Sequence, residues 1–209
     1  MVILYIVICG VIFMKKLLIT GFEPFGGENY NPSWEAVTQL SDSIGDFELT
    51  KLRLPVVFGE AQLILADAAD TLKPDIILSV GLAGGRDAVT PEFVAINLRH
   101  ASIPDNVGNQ PTDEAIIKDG NAAYFSTVNP RKMVDAIKQC GIPVKPSYTA
   151  GTYVCNEVLY SMLARFDGTN TRVGFIHLPF VPEQAKPGVP SLNLSDMINA
   201  LTAAIKSIE

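Results

Sequence analysis

Cysteine and histidine are both scarce in this chain of 209 residues. It holds three cysteines, Cys9, Cys140 and Cys155, and two histidines, His100 and His177. An odd and sparse set of cysteines is not a disulfide framework, and it fits a reducing compartment. Because the chain has no C-x-x-C pair and so few imidazoles, it offers no structural zinc site. We expect neither a metal nor another cofactor.

Basic residues are also fewer than acidic residues in this chain. Sixteen Lys and Arg residues stand against twenty-two Asp and Glu residues, which gives a formal net charge of −6. A negative surface disfavours nucleic acid and anionic membranes as partners. The content of 48% hydrophobic and 18% charged residues is typical of a globular chain and excludes a disordered one. We therefore expect a cytoplasmic protein with no nucleic-acid partner and no membrane partner.

A long apolar run is found at the N-terminus, where the first thirteen residues are almost wholly apolar. The run is shorter than the roughly 20 apolar residues of a membrane-spanning helix, and it ends at Lys15 and Lys16. It has neither the basic start nor the small-residue cleavage site of a signal peptide. We expect residues 1–13 to be an extension outside the fold, upstream of a translation start at Met14, and residues 14–209 to form a single domain.

Short apolar segments that predict strands alternate with amphipathic segments that predict helices. This alternation favours an α/β fold, a three-layer α/β/α sandwich around a twisted, mainly parallel sheet. The polar segment 102–120 predicts a long loop. The predicted strands are 17–20, 47–57, 75–80, 93–98, 144–148 and 172–178. The predicted helices span 60–72, 131–139, 152–166 and 194–208, and a further helix begins at Pro32 with Asn31 as its N-cap.

Cys155 lies where a turn gives way to a predicted helix, in the sequence T-A-G-T-Y-V-C-N. Partial positive charge at a helix N-terminus stabilises a thiolate, which is the nucleophilic form of cysteine. A small buried core cysteine is the alternative interpretation. The spacing alone indicates a candidate nucleophile and leaves that alternative open.

A base and an acid that could serve this thiol stand at predicted strand ends. His177, in G-F-I-H-L-P, lies at the sheet edge where α/β active sites gather, and a neutral imidazole there could accept the thiol proton. It could equally be a half-buried structural histidine, and its rival His100 lies in a polar loop. Glu92, in T-P-E-F-V-A-I-N, begins an otherwise apolar strand and so needs a partner. It could orient His177, or pair at the rim with Arg86 or Arg99.

Two glycine-rich segments could shape a binding site. Residues 81–86, G-L-A-G-G-R, follow a predicted strand and could place backbone N–H groups around an oxyanion, with Arg86 adding charge. Residues 21–27 read G-F-E-P-F-G-G, in which Phe22 and Phe25 either face a ligand or fold back into the core. Neither segment has the pattern of a P-loop or of a dinucleotide-binding fingerprint.

Four segments taken together resemble pyroglutamyl-peptidase I, the pyrrolidone-carboxylate peptidase family of cysteine peptidases. They are T-G-F-E-P-F-G-G with N-P-S following, G-L-A-G-G-R with T-P-E-x-V-A-I-N, A-G-T-Y-V-C-N, and G-F-I-H-L-P. Each pattern is modest, but their joint occurrence in this order is highly specific. The resemblance runs from Met14 to the C-terminal helix, so it implies one catalytic domain over residues 14–209 with an α/β sandwich fold.

The resemblance implies an omega peptidase that hydrolyses the bond after an N-terminal pyroglutamyl (5-oxoprolyl) residue of peptides, through an acyl-enzyme. It implies Cys155 as the nucleophile, His177 as the base and Glu92 as the orienting acid. It also implies that Arg86 and nearby backbone amides hold the oxyanion. Bacterial members of the family are typically cytoplasmic homotetramers, so a homo-oligomer is implied as well.

A pocket for the flat, uncharged lactam ring is a further implication of the resemblance. Phe22 and Phe25 would sandwich the ring, and Tyr153, Val154 and Ile103 would complete the wall. A lactam ring stacks well on aromatic side chains, and its N–H and C=O groups need only a few placed polar partners.

The chain departs from the usual family pattern beside this pocket. Phe93 stands where a basic residue is common after Glu92, and His100 and Ser102 stand where Asp and Arg are common. These departures bear on loop contacts and oligomer packing more than on the chemistry.

Two other functions fit the same residues. One is another small-amide cysteine hydrolase, but a pocket lined by Phe22 and Phe25 prefers a neutral ring. The other is a non-catalytic module that captures lactams or pyroglutamyl peptides. The set of Cys155, His177 and Glu92 argues against it, because a binder needs no thiolate. A nucleoside-phosphorylase-like binder rests on fold analogy alone.

A chain that begins at Met14 is expected to be folded and as active as the full-length chain, because the predicted first strand begins only at Lys15 or Lys16. Sedimentation, membrane fractionation and kinetics of the two chains check this. Loss of activity or assembly on truncation would mean that residues 1–13 are structural. Membrane-associated full-length protein would contradict the cytoplasmic assignment.

Overall fold

Strands and helices alternate along the chain in this computed structural model, which describes residues 14–209. The predicted extension, residues 1–13, lies outside the described residues. The strands are β1 Lys15–Phe22, β2 Ser43–Ile44, β3 Phe47–Leu54, β4 Ile76–Leu82, β5 Thr90–Pro91, β6 Val94–Ile96, β7 Ala123–Phe125 and β8 Arg172–Leu178. The helices are α1 Pro32–Thr38, α2 Glu60–Leu72, α3 Pro130–Gln139, α4 Val154–Arg165 and α5 Leu194–Lys206.

A six-stranded sheet in the order β2-β3-β1-β4-β8-β5 forms the middle layer. Its four long strands, β3, β1, β4 and β8, run parallel, whereas the short edge strands β2 and β5 pair antiparallel. Parallel strands need crossover connections, and helices α1, α2 and α4 lie in those connections. The predicted three-layer sandwich around a mainly parallel sheet is confirmed.

Two hydrophobic clusters fill the space between the sheet and the helices on its two faces. Successive side chains of β1 point to opposite faces. Leu17 and Ile19 therefore pack with α1, α3 and α5, while Leu18 and Phe22 pack with α2 and α4. Strands β1, β4 and β8 are buried on both faces over most of their length, which explains why they appear in the sequence as nearly continuous apolar runs, whereas β3 alternates between buried and exposed side chains.

Two predicted strands have a different form in the structure. The predicted strand 93–98 is reduced to β6, which pairs with β7 in a separate two-stranded sheet. The predicted strand 144–148 makes only isolated bridges to the segment before β6. Pro143 and Pro146 have no backbone N–H to donate, so this segment cannot sustain a regular ladder.

The carboxyl ends of β1, β4 and β8 meet at one edge of the sheet, and the N-terminus of α4 arrives at the same edge. Glycine at position 81 allows this approach. A Cβ atom there would lie 3.0 Å from the sulfur of Cys155 and 2.9 Å from the ring of Phe175. The edge thus collects the glycine-rich segments 21–27 and 81–86, together with Cys155 and His177.

Candidate active site

A cavity of about 230 Å³ opens at this edge of the sheet. Its wall includes residues that the sequence analysis predicted for the site and others that it did not predict. The predicted residues are Phe22, Phe25, Arg86, Tyr153, Val154, Cys155 and His177, and the others are Asn31, Val56, Leu82, Ala83, Thr149, Ala150 and Gly151.

Cys155 is the second residue of α4, whose N-cap is Tyr153. Burial raises the pKa of Cys155 to about 12, and the negative charge of Glu92 adds to the rise, while Arg86 opposes it. The sequence predicted a thiolate stabilised at a helix N-terminus. In the folded chain the loss of hydration opposes that effect and favours the neutral thiol.

His177 lies in β8 with its ring almost wholly buried, and its Nδ1 is 2.7 Å from Oε1 of Glu92. Burial lowers the pKa of His177, and the hydrogen bond to Glu92 only partly opposes this. The ring is therefore neutral near neutral pH. A neutral imidazole that donates from Nδ1 to a carboxylate has Nε2 free to accept a proton, and His177 and Cys155 line the same cavity.

Glu92 is fully buried just after β5, and its side chain meets His177 and Arg86, two of the three partners that the sequence left open. Its Oε1 accepts from Nδ1 of His177 at 2.7 Å and from Nη1 of Arg86 at 2.7 Å. Burial raises the pKa of Glu92, but the hydrogen bond to His177 and the charge of Arg86 hold it below its usual value. The carboxylate is therefore ionised, and it lies in the interior rather than at a rim.

Arg86 is bound on several sides by groups of the protein itself. Besides Glu92, Nη1 donates to the hydroxyls of Thr90 and, at 3.4 Å, of Ser147. Nη2 donates to the carbonyl oxygen of Thr149 at 3.3 Å. These contacts tie the guanidinium to the buried carboxylate and to the cavity wall, and the pairing with Glu92 is one of the alternatives that the sequence left open.

The two phenylalanines of segment 21–27 differ in their surroundings. Phe22 is buried and packs on Phe175, with ring centroids 6.2 Å apart, and it also faces the cavity. Phe25 is partly exposed and packs on Tyr153, with centroids 6.0 Å apart. Ile103, the fifth predicted pocket residue, is 42% exposed and lies beside Gly26 rather than in the cavity wall.

Asn31 is a cavity residue that sequence analysis missed as such. It is the predicted N-cap of α1, and its Oδ1 accepts from the backbone N–H of Ser33 at 3.0 Å. Its Nδ2 donates to the carbonyl oxygen of Glu23 at 2.8 Å. The capping signal was visible in N-P-S, but nothing in that pattern indicates that the amide also faces a cavity.

His100, the rival base, lies on the surface. Its Nδ1 is 2.9 Å from Oδ1 of Asp113, and both side chains are exposed. Within residues 14–209, no group of three or more His, Cys, Asp and Glu side chains could hold a metal ion. None of the helices in this described range has the length and apolarity needed to cross a membrane.

Known proteins resemble this chain over most of its length. The pyroglutamyl peptidase family matches residues 15–209. A pyrrolidone-carboxylate peptidase of Yersinia pestis (strain Pestoides F) is 50% identical over 197 residues, which cover 92% of each chain.

Solved structures show the same similarity in three dimensions. The crystal structure of Bacillus amyloliquefaciens pyroglutamyl peptidase I superposes with a TM-score of 0.90 at 45% identity, covering 93% of this chain and 96% of the other. Pyrrolidone carboxyl peptidase from Thermococcus litoralis superposes with a TM-score of 0.89 at 38% identity, covering 93% of each chain.

Cys155 is expected to give no thiolate absorbance near neutral pH, because burial raises its pKa to about 12. Ultraviolet difference spectra between the natural chain and Cys155→Ser, titrated from weakly acidic to strongly alkaline pH, check this. The thiolate band should appear only at the alkaline end. A band that appears in step with a histidine titration would instead indicate a thiolate–imidazolium pair.

Proposed function

The chain belongs to the pyroglutamyl peptidase family and removes N-terminal pyroglutamate from peptides, and we propose that Cys155, His177 and Glu92 carry out this hydrolysis. The protein is a hydrolase of the cysteine-peptidase type. The observation that carries the assignment of roles is the buried hydrogen bond from His177 to Glu92, beside a cavity that also contains Cys155.

The first half of the reaction forms a thioester. Nε2 of neutral His177 takes the proton from the thiol of Cys155 as the sulfur bonds to the carbonyl carbon that follows the lactam ring. The carbonyl π electrons move to oxygen, and a tetrahedral oxyanion forms. When the oxyanion collapses, the C–N bond breaks, and His177 gives its proton to the departing amine of the shortened peptide.

The second half of the reaction hydrolyses the thioester. A water molecule attacks the carbonyl carbon and loses a proton to His177, and the tetrahedral intermediate then expels the sulfur, which regains its proton. Pyroglutamic acid leaves and the starting protonation states return. Glu92 stabilises the imidazolium that forms in both halves, because its ionised carboxylate faces Nδ1 at 2.7 Å.

Backbone N–H groups in the first turn of α4 stabilise the oxyanion in this proposal. The first four N–H groups of a helix have no intrahelical acceptor, and the N-terminus carries partial positive charge. Arg86 lies in the cavity wall and adds its charge. Because Arg86 also contacts Glu92 and Thr149, its main role in this proposal is to position the carboxylate of Glu92 and the cavity wall at Thr149.

The cavity suits an uncharged ring. Phe22, Phe25 and Tyr153 give it an aromatic wall, on which a flat lactam can pack. A primary amide carries two N–H donors, and Nδ2 of Asn31 donates one of them to the carbonyl oxygen of Glu23. We assign the other donor of Asn31 to the lactam carbonyl oxygen.

We also propose that residues 14–209 form a single catalytic domain, and that the protein is a cytoplasmic homotetramer. The sparse cysteines and the acidic charge support the location. The resemblance to the bacterial members of the family supports the tetramer. Leu63, Val107, Phe125 and Tyr148 are large apolar side chains exposed on the single chain, where a neighbouring subunit could cover them.

Cys155→Ala and His177→Ala are expected to lose essentially all turnover of a pyroglutamyl amide reporter, whereas His100→Ala and Cys140→Ser keep it. Glu92→Gln should lose about 10²- to 10⁴-fold in kcat, because the imidazolium loses its counter-charge while the geometry survives. Steady-state kinetics with circular dichroism as a folding control check this. Activity in folded Cys155→Ala, or a dead His100→Ala, would contradict the assignment.

The enzyme should discriminate strongly between pyroglutamyl and glutaminyl or prolyl reporters that share one leaving group. A glutaminyl or prolyl N-terminus carries an ammonium group, and its transfer to an aromatic cavity with a cationic Arg86 costs several kcal/mol. Ratios of kcat/KM measure this. Comparable turnover of glutaminyl and pyroglutamyl reporters would favour a general small-amide hydrolase.

A further inference from the structure

Residues 96–106, which we call the brace, run behind the cavity. In the described part of the chain the brace supplies none of the residues that line the cavity, yet it is hydrogen-bonded to several of its walls. The bonds are Asn106 N–H to Val56 O at 3.0 Å, Asn106 Nδ2 to Pro24 O at 2.9 Å, Tyr153 hydroxyl to Pro104 O at 3.0 Å, and Phe58 N–H to Asp105 Oδ2 at 2.9 Å.

The brace is also bound to the turn of chain that carries Cys155. The backbone N–H of His100 donates to the carbonyl of Thr152 at 2.9 Å, and the hydroxyl of Thr152 donates back to the carbonyl of His100 at 2.8 Å. Buried Asn156 accepts from the N–H of Ile96 and donates to the carbonyls of Ile96 and Leu98. Residues on both sides of the nucleophile therefore hold the brace.

An ion pair stands at the centre of these contacts. Glu157, one residue beyond Asn156, is fully buried, and its Oε1 lies 3.0 Å from Nη2 of Arg99 in the brace. Its Oε2 accepts from the backbone N–H of Gly59 at 2.8 Å. Residue 58, just before this glycine, is a phenylalanine whose ring meets Tyr153 edge-on, with centroids 5.1 Å apart. Glu157 thus joins three parts of the structure around one aromatic wall.

We propose that the Arg99–Glu157 pair positions the aromatic wall of the lactam pocket, and so sets how tightly the five-membered ring is held. This inference rests on the proposed function. Neither side chain lines the cavity, so both act through Phe58 and Tyr153. Tyr153 in turn packs on Phe25, the other aromatic side chain at the mouth of the cavity.

The ionic character of the pair supports a role in geometry. A buried ion pair costs much of its attraction in lost hydration, and apolar replacements of similar volume are often as stable. The hydrogen bond from the backbone N–H of Gly59 to Oε2 joins the N-cap of α2 to the first turn of α4 in a defined direction. The contact of Oε1 with Nη2 of Arg99 at 3.0 Å holds the brace at a defined distance from the same carboxylate.

The test compares Arg99→Met/Glu157→Leu with the natural chain on two reporters, one with the five-membered lactam and one with the six-membered lactam. We expect KM for the five-membered lactam to rise about tenfold, while kcat changes less than about threefold, because the wall is misplaced and the reacting groups are not. Preference for the five-membered ring should fall. Arg99→Met/Glu157→Gln, which keeps an acceptor for the N–H of Gly59, should lie in between.

An ion pair that joins α2 and α4 away from the cavity serves as the control. Arg165 in α4 pairs with Asp70 in α2, and both side chains are about half exposed. Arg165→Met/Asp70→Asn should leave KM and ring preference unchanged.

Folded Arg99→Met/Glu157→Leu with unchanged KM and ring preference would overturn the proposal, because a merely structural pair would change only the unfolding temperature. If that variant does not fold, the glutamine variant decides on the same two readouts. A natural chain that fails to turn over the five-membered lactam would instead refute the proposed function.

Discussion

The buried carboxylate of Glu92 is the constraint on which the site depends. A single oxygen accepts from both His177 and Arg86 at 2.7 Å. Removing one partner of a buried charge typically costs about 3–5 kcal/mol, so the three side chains stabilise one another's placement. The fold supplies the geometry through β5, which pairs antiparallel with β8 and sets Thr90 opposite His177. The edge strand is only two residues long, yet it brings Glu92 to His177.

Burial has opposite consequences for the pKa values of the two groups that exchange a proton in the proposed mechanism. It raises the pKa of Cys155 to about 12 and lowers the pKa of His177, so both are neutral at rest. In the proposed mechanism, charge develops only as the sulfur attacks, when Glu92 already faces Nδ1 of His177 at 2.7 Å. Stabilisation of charge that exists mainly in the transition state is the kind that raises kcat.

Local patterns in the sequence were enough for the layers and for most elements. Alternating apolar runs predicted the parallel strands, and N-P-S predicted the capped start of α1. They could not predict the pairing of segments far apart in sequence. Arg86 donates hydrogen bonds to Ser147 and Thr149, which lie about sixty residues further along the chain. The segment that contains them is rich in proline, and its sequence carries no signal for these contacts. Ile103 was expected in the pocket wall, but the brace turns it outward beside Gly26.

The most direct test of the account is the protonation state of His177, and the chain has only one other histidine to resolve from it. Nitrogen-15 NMR of histidine-labelled enzyme near neutral pH, with His100→Gln for assignment, reports each ring nitrogen separately. The account predicts a neutral ring in the free enzyme, with the proton on Nδ1 and none on Nε2. An imidazolium signal from His177 at that pH, with both nitrogens protonated, would contradict it.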